Sequence, residues 1–223
     1  MPTTKVVEMY NAGNALAAKK DFKGAVKCYE DAIKIDPAFV SAWLNLGNAR
    51  QAMKDITGAI AAFEHVLELD PKHANAHFNI GNARAAQNDW DNAAKSFQAV
   101  LDIDPKHARA WFNLGQIRQD KKDLSGAIKA YQNAVAADPK AWPAWFKLGN
   151  ALLLKEDYPG AVEAIKKAIA LEPNNVSIIT GLAKILERSG QDQEAMFLWQ
   201  RAADLGHEGA KAKVKKDLEK WTS

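Results

Sequence analysis

The amino-acid sequence predicts an all-α protein, a solenoid of stacked antiparallel helix pairs, and two observations carry this prediction. The first is a repeated sequence segment. NLGNARQAMKD begins at Asn45, and similar segments begin at Asn79, Asn113 and Lys147, each 34 residues after the preceding one. The second is the spacing of apolar residues, which recur every three or four positions, as they do on one face of an α-helix. Self-similarity at such a period is typical of arrays of helical units.

The 34-residue frame runs through six copies without an insertion. Position 1 of each copy falls at Val6, Val40, Ala74, Ala108, Trp142 and Val176. A single helix pair cannot bury its apolar face alone, whereas stacked pairs can bury theirs against one another. The predicted domain organisation is therefore one array over residues 1–223.

Each copy contains a first helix, a short turn and a second helix. In the second copy, Gly47 at position 8 is expected to face Ala59 at position 20, so that the two backbones approach closely. Phe63 at position 24 fills the remaining volume with a ring. Pro71 at position 32 cannot donate an intrahelical hydrogen bond, so it ends the second helix and precedes the next first helix.

The last copy departs from this pattern, because Ala183 replaces the glycine of position 8 and His207 replaces the proline of position 32. A segment at about residues 208–221 then follows. We expect it to form a capping helix with one apolar stripe, since the exposed end of an array needs a cover. The stripe consists of Ala210, Val214, Leu218 and Trp221.

Composition narrows the partners that this chain is expected to have. The 30 Lys and Arg residues nearly balance the 27 Asp and Glu residues, so the net charge of +3 gives no reason to expect a nucleic acid or an acidic membrane as partner. Cys28 is the one cysteine, which fits a reducing compartment. No apolar run approaches the roughly 18 residues of a membrane span, and the N-terminus lacks a signal-peptide pattern. The sequence thus predicts a soluble, cytoplasmic protein without membrane insertion.

The pattern Trp43, Leu46, Gly47, then Ala59 and Phe63, then Pro71 resembles the tetratricopeptide repeat, and copies of it cover nearly the whole chain. The resemblance implies a right-handed superhelix of antiparallel helix pairs with a concave inner face, lined mainly by first-helix positions 2, 5, 6, 9, 12 and 13. The NLGN motif is most similar to the corresponding segment in the repeats of O-GlcNAc transferases, whose catalytic domain has no counterpart here.

Position 11 departs from the tyrosine that is usual in the resembling family, because arginine stands there in three copies: Arg50, Arg84 and Arg118. Two interpretations are open. The arginine stems pack across the crevice between helix pairs and send their charges to solvent or to a carboxylate. Alternatively, they form a basic column that binds an acidic ligand. We favour packing, because position 11 faces the repeat interior in the resembling family.

The candidate binding groove combines two amide columns, at positions 6 and 9, with an aromatic column at position 5. An amide offers both hydrogen-bond donors and an acceptor, which suits an extended peptide backbone, and rings beside it can hold apolar side chains. In the resembling transferases such an asparagine ladder holds polypeptide substrates. The candidate groove residues are Asn11, Asn14, Asn45, Asn48, Phe78, Asn79, Asn82, Arg109, Phe112, Asn113, Gln116, Phe146, Lys147 and Asn150.

The alternative is that these asparagines are only a tolerated helix surface. Asparagine is a poor helix former, and the sequence suggests no structural benefit from two such columns, so we favour the binding interpretation. On this view, replacing Asn45, Asn79 and Asn113 with alanine should weaken ligand binding and leave the melting temperature almost unchanged.

Other kinds of site are weakly supported. The lysines of a chaperone-tail carboxylate clamp are missing, and only a looser carboxylate site near Arg109 and Lys147 stays open. His73 and His77 have a metal-ligand spacing without further ligands, so we expect no metal. No catalytic residues or cofactor can be named from the sequence.

The sequence therefore predicts a non-enzymatic scaffold or adaptor that binds an extended peptide or a partner helix in its groove. Two alternatives stay open. One is a scaffold that self-associates through its array ends into a homo-oligomer. The other is a regulatory module of a larger enzyme complex.

Overall fold

The computed structural model describes residues 4–222, without the side chains of Leu218, Lys220, Trp221 and Thr222. These residues form thirteen α-helices and no strand, which confirms the predicted all-α solenoid class. By its internal contacts the chain divides into two compact units, of which the first ends at Pro105 and the second begins at Lys106. Within each unit, every helix packs mainly against its neighbours in sequence, as stacked helix pairs do.

The first unit contains three helix pairs. Its helices are α1 (Thr4–Ala18), α2 (Phe22–Ile35), α3 (Val40–Ala52), α4 (Ile56–Leu69), α5 (Ala74–Ala86) and α6 (Trp90–Ile103). Helices α3 and α5 begin at the predicted repeat starts, whereas α1 begins two residues before Val6. The odd-numbered helices are the first helices of their repeats, and the even-numbered helices are the second.

The second unit contains three further pairs and one terminal helix. Its helices are α7 (Ala108–Asp120), α8 (Leu124–Ala137), α9 (Trp142–Leu154), α10 (Tyr158–Leu171), α11 (Val176–Arg188), α12 (Asp192–Asp204) and α13 (Glu208–Thr222). Helix α13 lies where the capping helix is predicted and buries Ala210 and Val214 in the core around α11 and α12. The side chains of Leu218 and Trp221 lie outside the described part. The continuity of a single array across both units stays a prediction.

The turn inside each of the first five pairs uses one aspartate twice. The backbone N–H of Asp55 donates to the Arg50 carbonyl at 2.9 Å, which closes the end of α3, and the Asp55 side chain accepts from Gly58 N–H at 3.0 Å, which caps α4. Lys54 lies between the two helices in the left-handed conformation, with φ of 66°. The aspartates at this position are Asp21, Asp55, Asp89, Asp123 and Asp157.

In each of the first four pairs the core is a ring packed on a glycine, whereas Ile165 packs on Gly149 in the fifth pair. Tyr131 is fully buried, and a Cβ atom added to Gly115 would lie 2.6 Å from its Cε1 atom, so only glycine fits beneath the ring. The sequence predicts that the glycine makes room for the alanine of position 20. In the structure the nearest atoms belong instead to the residue at position 24, although Ala127 at position 20 is also fully buried.

Two of the three arginines of position 11, Arg50 and Arg84, bind a carboxylate on the second helix of the preceding repeat, which confirms the packing interpretation for both. Arg50 Nη2 lies 2.8 Å from Glu30 Oε1 in the preceding repeat, and Arg50 Nη1 donates to the Gly58 carbonyl. Arg84 binds Glu64 in the same way, at 3.2 Å. These guanidinium groups are therefore already paired with carboxylates, and the alternative of a basic column for an acidic ligand is wrong for both residues.

None of the helices within residues 4–222 combines the length and the apolar character that crossing a bilayer requires.

Candidate functional site

The amide side chains of the first unit form a hydrogen-bonded ladder between neighbouring first helices. Asn45 Nδ2 on α3 donates to Asn14 Oδ1 on α1 at 2.8 Å, and also to the Tyr10 hydroxyl at 3.0 Å. The Tyr29 hydroxyl on α2 donates to the same Asn14 oxygen at 2.9 Å. One carboxamide thus joins three helices.

The next step of the ladder repeats this geometry with fewer partners. Asn79 Nδ2 on α5 donates to Asn48 Oδ1 on α3 at 3.0 Å. In both steps the amide of position 6 donates to the amide of position 9 in the preceding repeat, 31 residues earlier. We call this set, Asn14, Asn45, Asn48 and Asn79, the amide ladder.

The amide ladder changes one expectation from the sequence. The sequence suggests no structural benefit from the asparagine columns, but each ladder bond joins two repeats and contributes about 0.5–1.5 kcal/mol. Replacing Asn45 and Asn79 with alanine should therefore also lower stability, so we now expect a lower melting temperature instead of an unchanged one.

In the second step of the ladder, each amide engages only one of its two polar groups in a hydrogen bond. Asn48 is exposed and engages its oxygen, while its Nδ2 has no partner among the described residues. Asn79 engages one N–H, and its oxygen has no partner there either. Asn11 is exposed beside the ladder, and Asn82 is half-buried. The surface formed by Asn11 and the amide ladder, which we call the first-helix face, thus presents both donors and acceptors.

The aromatic column is more buried than the sequence suggests. Phe78 exposes 6% of its surface and packs on Phe97 with ring centroids 5.6 Å apart. Tyr10 packs on Phe39 and Tyr29 in the same region of the fold. The assignment of Phe78 as a ligand-binding ring is corrected, because the ring is already almost fully buried in the fold.

The predicted groove residues of the second unit lie on α7 and α9. Phe112 and Phe146 are half-buried, and the Phe112 ring packs on Tyr131 at 6.0 Å between centroids. Arg109 is exposed. The other predicted residues of this unit are half-buried: Asn113, Gln116, Lys147 and Asn150.

A pocket of about 400 Å³ lies between the C-terminal halves of α9 and α11. Only Asn150 in its lining was among the candidate groove residues. The other lining residues are Leu153, Leu154, Lys184, Glu187 and Arg188. Lys184 occupies position 9, and the other four occupy positions 12 and 13, which the family resemblance also places on the inner face. Reading columns 12 and 13 as well would have pointed to those four side chains.

The two histidines with a metal-ligand spacing have separate structural tasks. His73 Nδ1 accepts from the Ala76 N–H at 3.2 Å and caps α5, while His77 Nε2 donates to the Pro71 carbonyl at 3.0 Å. His107 caps α7 as His73 caps α5. These contacts account for the repetition of histidine at position 34.

Burial raises the pKa of two tyrosines at position 24. Burial is the main cause for Tyr29, with the neighbouring Tyr10 adding to it. For Tyr131 burial is again the main cause, and the Asp120 carboxylate contributes in the same direction. The Tyr131 hydroxyl donates to Gln119 Oε1 at 3.0 Å. Both pKa values are thus features of the core of a helix pair.

Comparison with solved structures finds several proteins of the same architecture. A structure of MamA is 26% identical, with a TM-score of 0.68, and the match covers 75% of this chain and 97% of that one. YrrB, described as a TPR protein with an unusual peptide-binding site, is 18% identical, with a TM-score of 0.72 and coverage of 84% and 97%. PilF of Pseudomonas aeruginosa is 14% identical, with a TM-score of 0.77 and coverage of 96% and 97%.

Comparison with curated proteins found no significant match. The similarity to the repeats of O-GlcNAc transferases stays a prediction.

Family models agree with the repeat frame over most of the chain. One tetratricopeptide repeat model matches residues 45–108, 78–141 and 118–176, which together span more than half of the sequence. A TPR repeat model matches residues 13–54, and another tetratricopeptide repeat model matches residues 152–213. With the 34-residue period, the helix pairs and the rings packed on glycines, these matches establish that the chain belongs to the tetratricopeptide repeat family.

Proposed function

We propose that this chain is a protein-interaction module that binds an extended peptide segment of a partner on its first-helix face. The observation that carries the proposal is that two polar groups of the amide ladder, Asn48 Nδ2 and Asn79 Oδ1, have no hydrogen-bond partner among the described residues. A peptide backbone offers one C=O and one N–H per residue, which are the complements of these two groups.

The spacing of the repeats suits an extended ligand. Neighbouring packed helices lie roughly 8–10 Å apart, and an extended chain advances about 3.3–3.6 Å per residue. Each repeat would therefore meet about every third residue of the peptide. YrrB, a structural neighbour of the same family, is described as having a peptide-binding site, which supports this class of ligand.

We infer a binding role and no reaction, and we expect neither a cofactor nor a metal to take part. Recognition through amides and the main chain tolerates many ligand sequences. Selectivity would come from neighbouring apolar and charged side chains, for which the half-buried Phe112 and Phe146 are candidates.

The proposal can be tested with peptides selected from a random phage-displayed library on the immobilised full chain. We expect Asn48→Ala to weaken the binding of selected peptides by about 2–10-fold, as the loss of one hydrogen bond implies, when measured by fluorescence anisotropy. Because Asn48 also holds Asn79, the exposed Asn11→Ala provides a second variant without a ladder bond.

The matched control is Asn174→Ala, which removes an exposed asparagine from the turn before α11. It should bind the selected peptides as the unmodified chain does. Selection of no peptide, or equal affinity for all four proteins, would contradict the proposal.

Self-association is a second candidate function, which one exposed residue favours. Phe197 on α12 exposes 70% of its surface and borders a pocket of about 350 Å³. The pocket also involves Leu182, Leu186, Leu198, Lys166, Gln193 and Glu194. A ring beside a pocket is self-complementary, since in a two-fold contact each copy can insert its ring into the other. Lys166 of one copy could then face Glu194 of the other.

Under this second proposal, the chain should form a dimer whose fraction rises with concentration in light scattering. Phe197→Ser should abolish the dimer, because it removes the inserted ring and leaves the buried core intact. Leu154→Ser, which removes another exposed apolar side chain from the same unit, is the control. A monomer at all concentrations, or a dimer in the Phe197 variant, would rule the candidate out.

A further inference from the structure

The pocket between α9 and α11 differs chemically from the amide ladder of the first unit. Its α9 side is aliphatic, lined by the half-buried Leu153 and by Leu154, which exposes 60% of its surface. In the first unit, positions 12 and 13 hold only alanine and glutamine, as at Gln51 and Ala52. The volume of about 400 Å³ lies within the usual range for ligand sites.

Two cations line the α11 side of the pocket. Lys184 and Arg188 lie four residues apart on α11, which places them on the same side of that helix, and both are exposed. Neither has an ion pair or a hydrogen bond with any described residue, in contrast to Arg50 and Arg84 of the first unit.

The one acid of the pocket does not offset these charges. Glu187 Oε1 accepts a hydrogen bond from Trp199 Nε1 at 3.1 Å and lies 2.8 Å from Lys213 Nζ. Lys213 in turn contacts Asp217 at 3.0 Å. Glu187 is thus held by α12 and α13, and the pocket keeps the two positive charges of Lys184 and Arg188 beside its leucines.

We propose that this pocket binds an acidic peptide segment in which an aliphatic residue lies next to one or more side-chain carboxylates, an inference that rests on the proposed function. The aliphatic side chain contacts Leu153 and Leu154, and the carboxylates contact Lys184 and Arg188. The planar guanidinium of Arg188 suits a two-point contact with a carboxylate. Asn150 at the pocket edge offers its amide to the peptide backbone.

The test uses four fluorescein-labelled peptides and the full chain, with binding measured by anisotropy. The probe is fluorescein-Gly-Ser-Glu-Leu-Asp-Ser-Gly-amide, in which the label is attached to the N-terminal amine. The second peptide has Gln and Asn in place of the two acids, and the third has Ser in place of Leu. The fourth carries the probe sequence with a free carboxyl end. We expect each of the second and third to bind at least about tenfold more weakly than the probe, because each lacks one of the two recognised groups.

The charge-reversed variant Lys184→Glu with Arg188→Glu should weaken binding of the probe by at least about tenfold, and Leu154→Ser by about fivefold to tenfold. The matched control is Lys129→Glu with Lys167→Glu, which makes the same change of net charge at exposed lysines of α8 and α10. It should bind the probe as the unmodified chain does. If the charge-reversed variant unfolds, Lys184→Gln with Arg188→Gln takes its place.

Equal binding of the probe by the pocket variants and the control would overturn the inference, as would equal binding of the acidic and neutral peptides. Binding of the free-acid peptide alone would overturn the assignment to side-chain carboxylates. If phage-selected peptides still bind in a manner that depends on Asn48 while the acidic probe does not bind, this inference fails and the proposed function stands. If neither class binds, both fail.

Discussion

Replacing Phe63 with alanine is expected to lower the free energy of unfolding by about 3–5 kcal/mol. The ring is fully buried and lies on Gly47, with Ala59, Val66 and Ile80 in the same core. Its removal loses the apolar burial of the ring and leaves a cavity, because two α-helices cannot collapse around the gap without shifting the repeats that pack on them. Urea denaturation followed by circular dichroism measures this loss.

Phe197→Ala is the matched control for that experiment, with both variants measured at a concentration at which the chain is monomeric. The same residue type is removed there, but its ring is 70% exposed, so the expected loss is below about 0.5 kcal/mol. An equal loss in the two variants would mean that the ring of position 24 does not support its helix pair as the structure implies.

Alkaline pH is expected to destabilise the chain through the buried tyrosines of position 24. Burial raises the pKa of Tyr29 and Tyr131 above the ordinary value of 10.0, so each hydroxyl holds its proton more tightly in the folded than in the unfolded chain. Their contribution to stability is complete below pH 10 and falls as the pH rises toward the folded-state pKa. For Tyr131, whose pKa is raised strongly, the loss within that window should approach about 1.4 kcal/mol per pH unit, and Tyr29 should add to it in the same direction.

Urea denaturation at a series of pH values above 10, compared with neutral pH, measures this effect. Tyr131→Phe should reduce the slope because the variant has no proton to lose at this site, although it also loses the hydrogen bond to Gln119. Tyr158→Phe, which alters a half-buried tyrosine at the start of α10, is the control. An unchanged slope in the Tyr131 variant would contradict the assignment.

The sequence predicted most of the helix boundaries. Helices α3, α5, α7, α9 and α11 begin at the predicted repeat starts, and α13 begins at Glu208 as the predicted cap does. Such boundaries depend on local chemistry, because a proline or an aspartate acts on the hydrogen bonds of its own few residues. The left-handed turn residue was missed, because Lys54 and its equivalents are not glycines.

The sequence predicted only part of the candidate site. The period located Asn45 and Asn79 on one side of the first helices, but it did not reveal that both donate to amides 31 residues earlier. It also suggested an open ring at Phe78, which the structure buries against Phe97. The hydrogen bonds of the asparagines and the burial of Phe78 depend on contacts between side chains of different helices. Comparing the residues at one repeat position does not reveal those contacts.

The sequence by itself determined the class of fold, the length of the repeat and the residues that share a helix face. Those properties follow from backbone hydrogen bonding and from the burial of one apolar stripe, which act within one repeat. Only the tertiary structure decided which amide ends are used, which arginines are already paired with carboxylates, and where two cations and two leucines surround a pocket. The physical reason is that each of these depends on how neighbouring repeats fill the space between them, through contacts 20 or 31 residues apart.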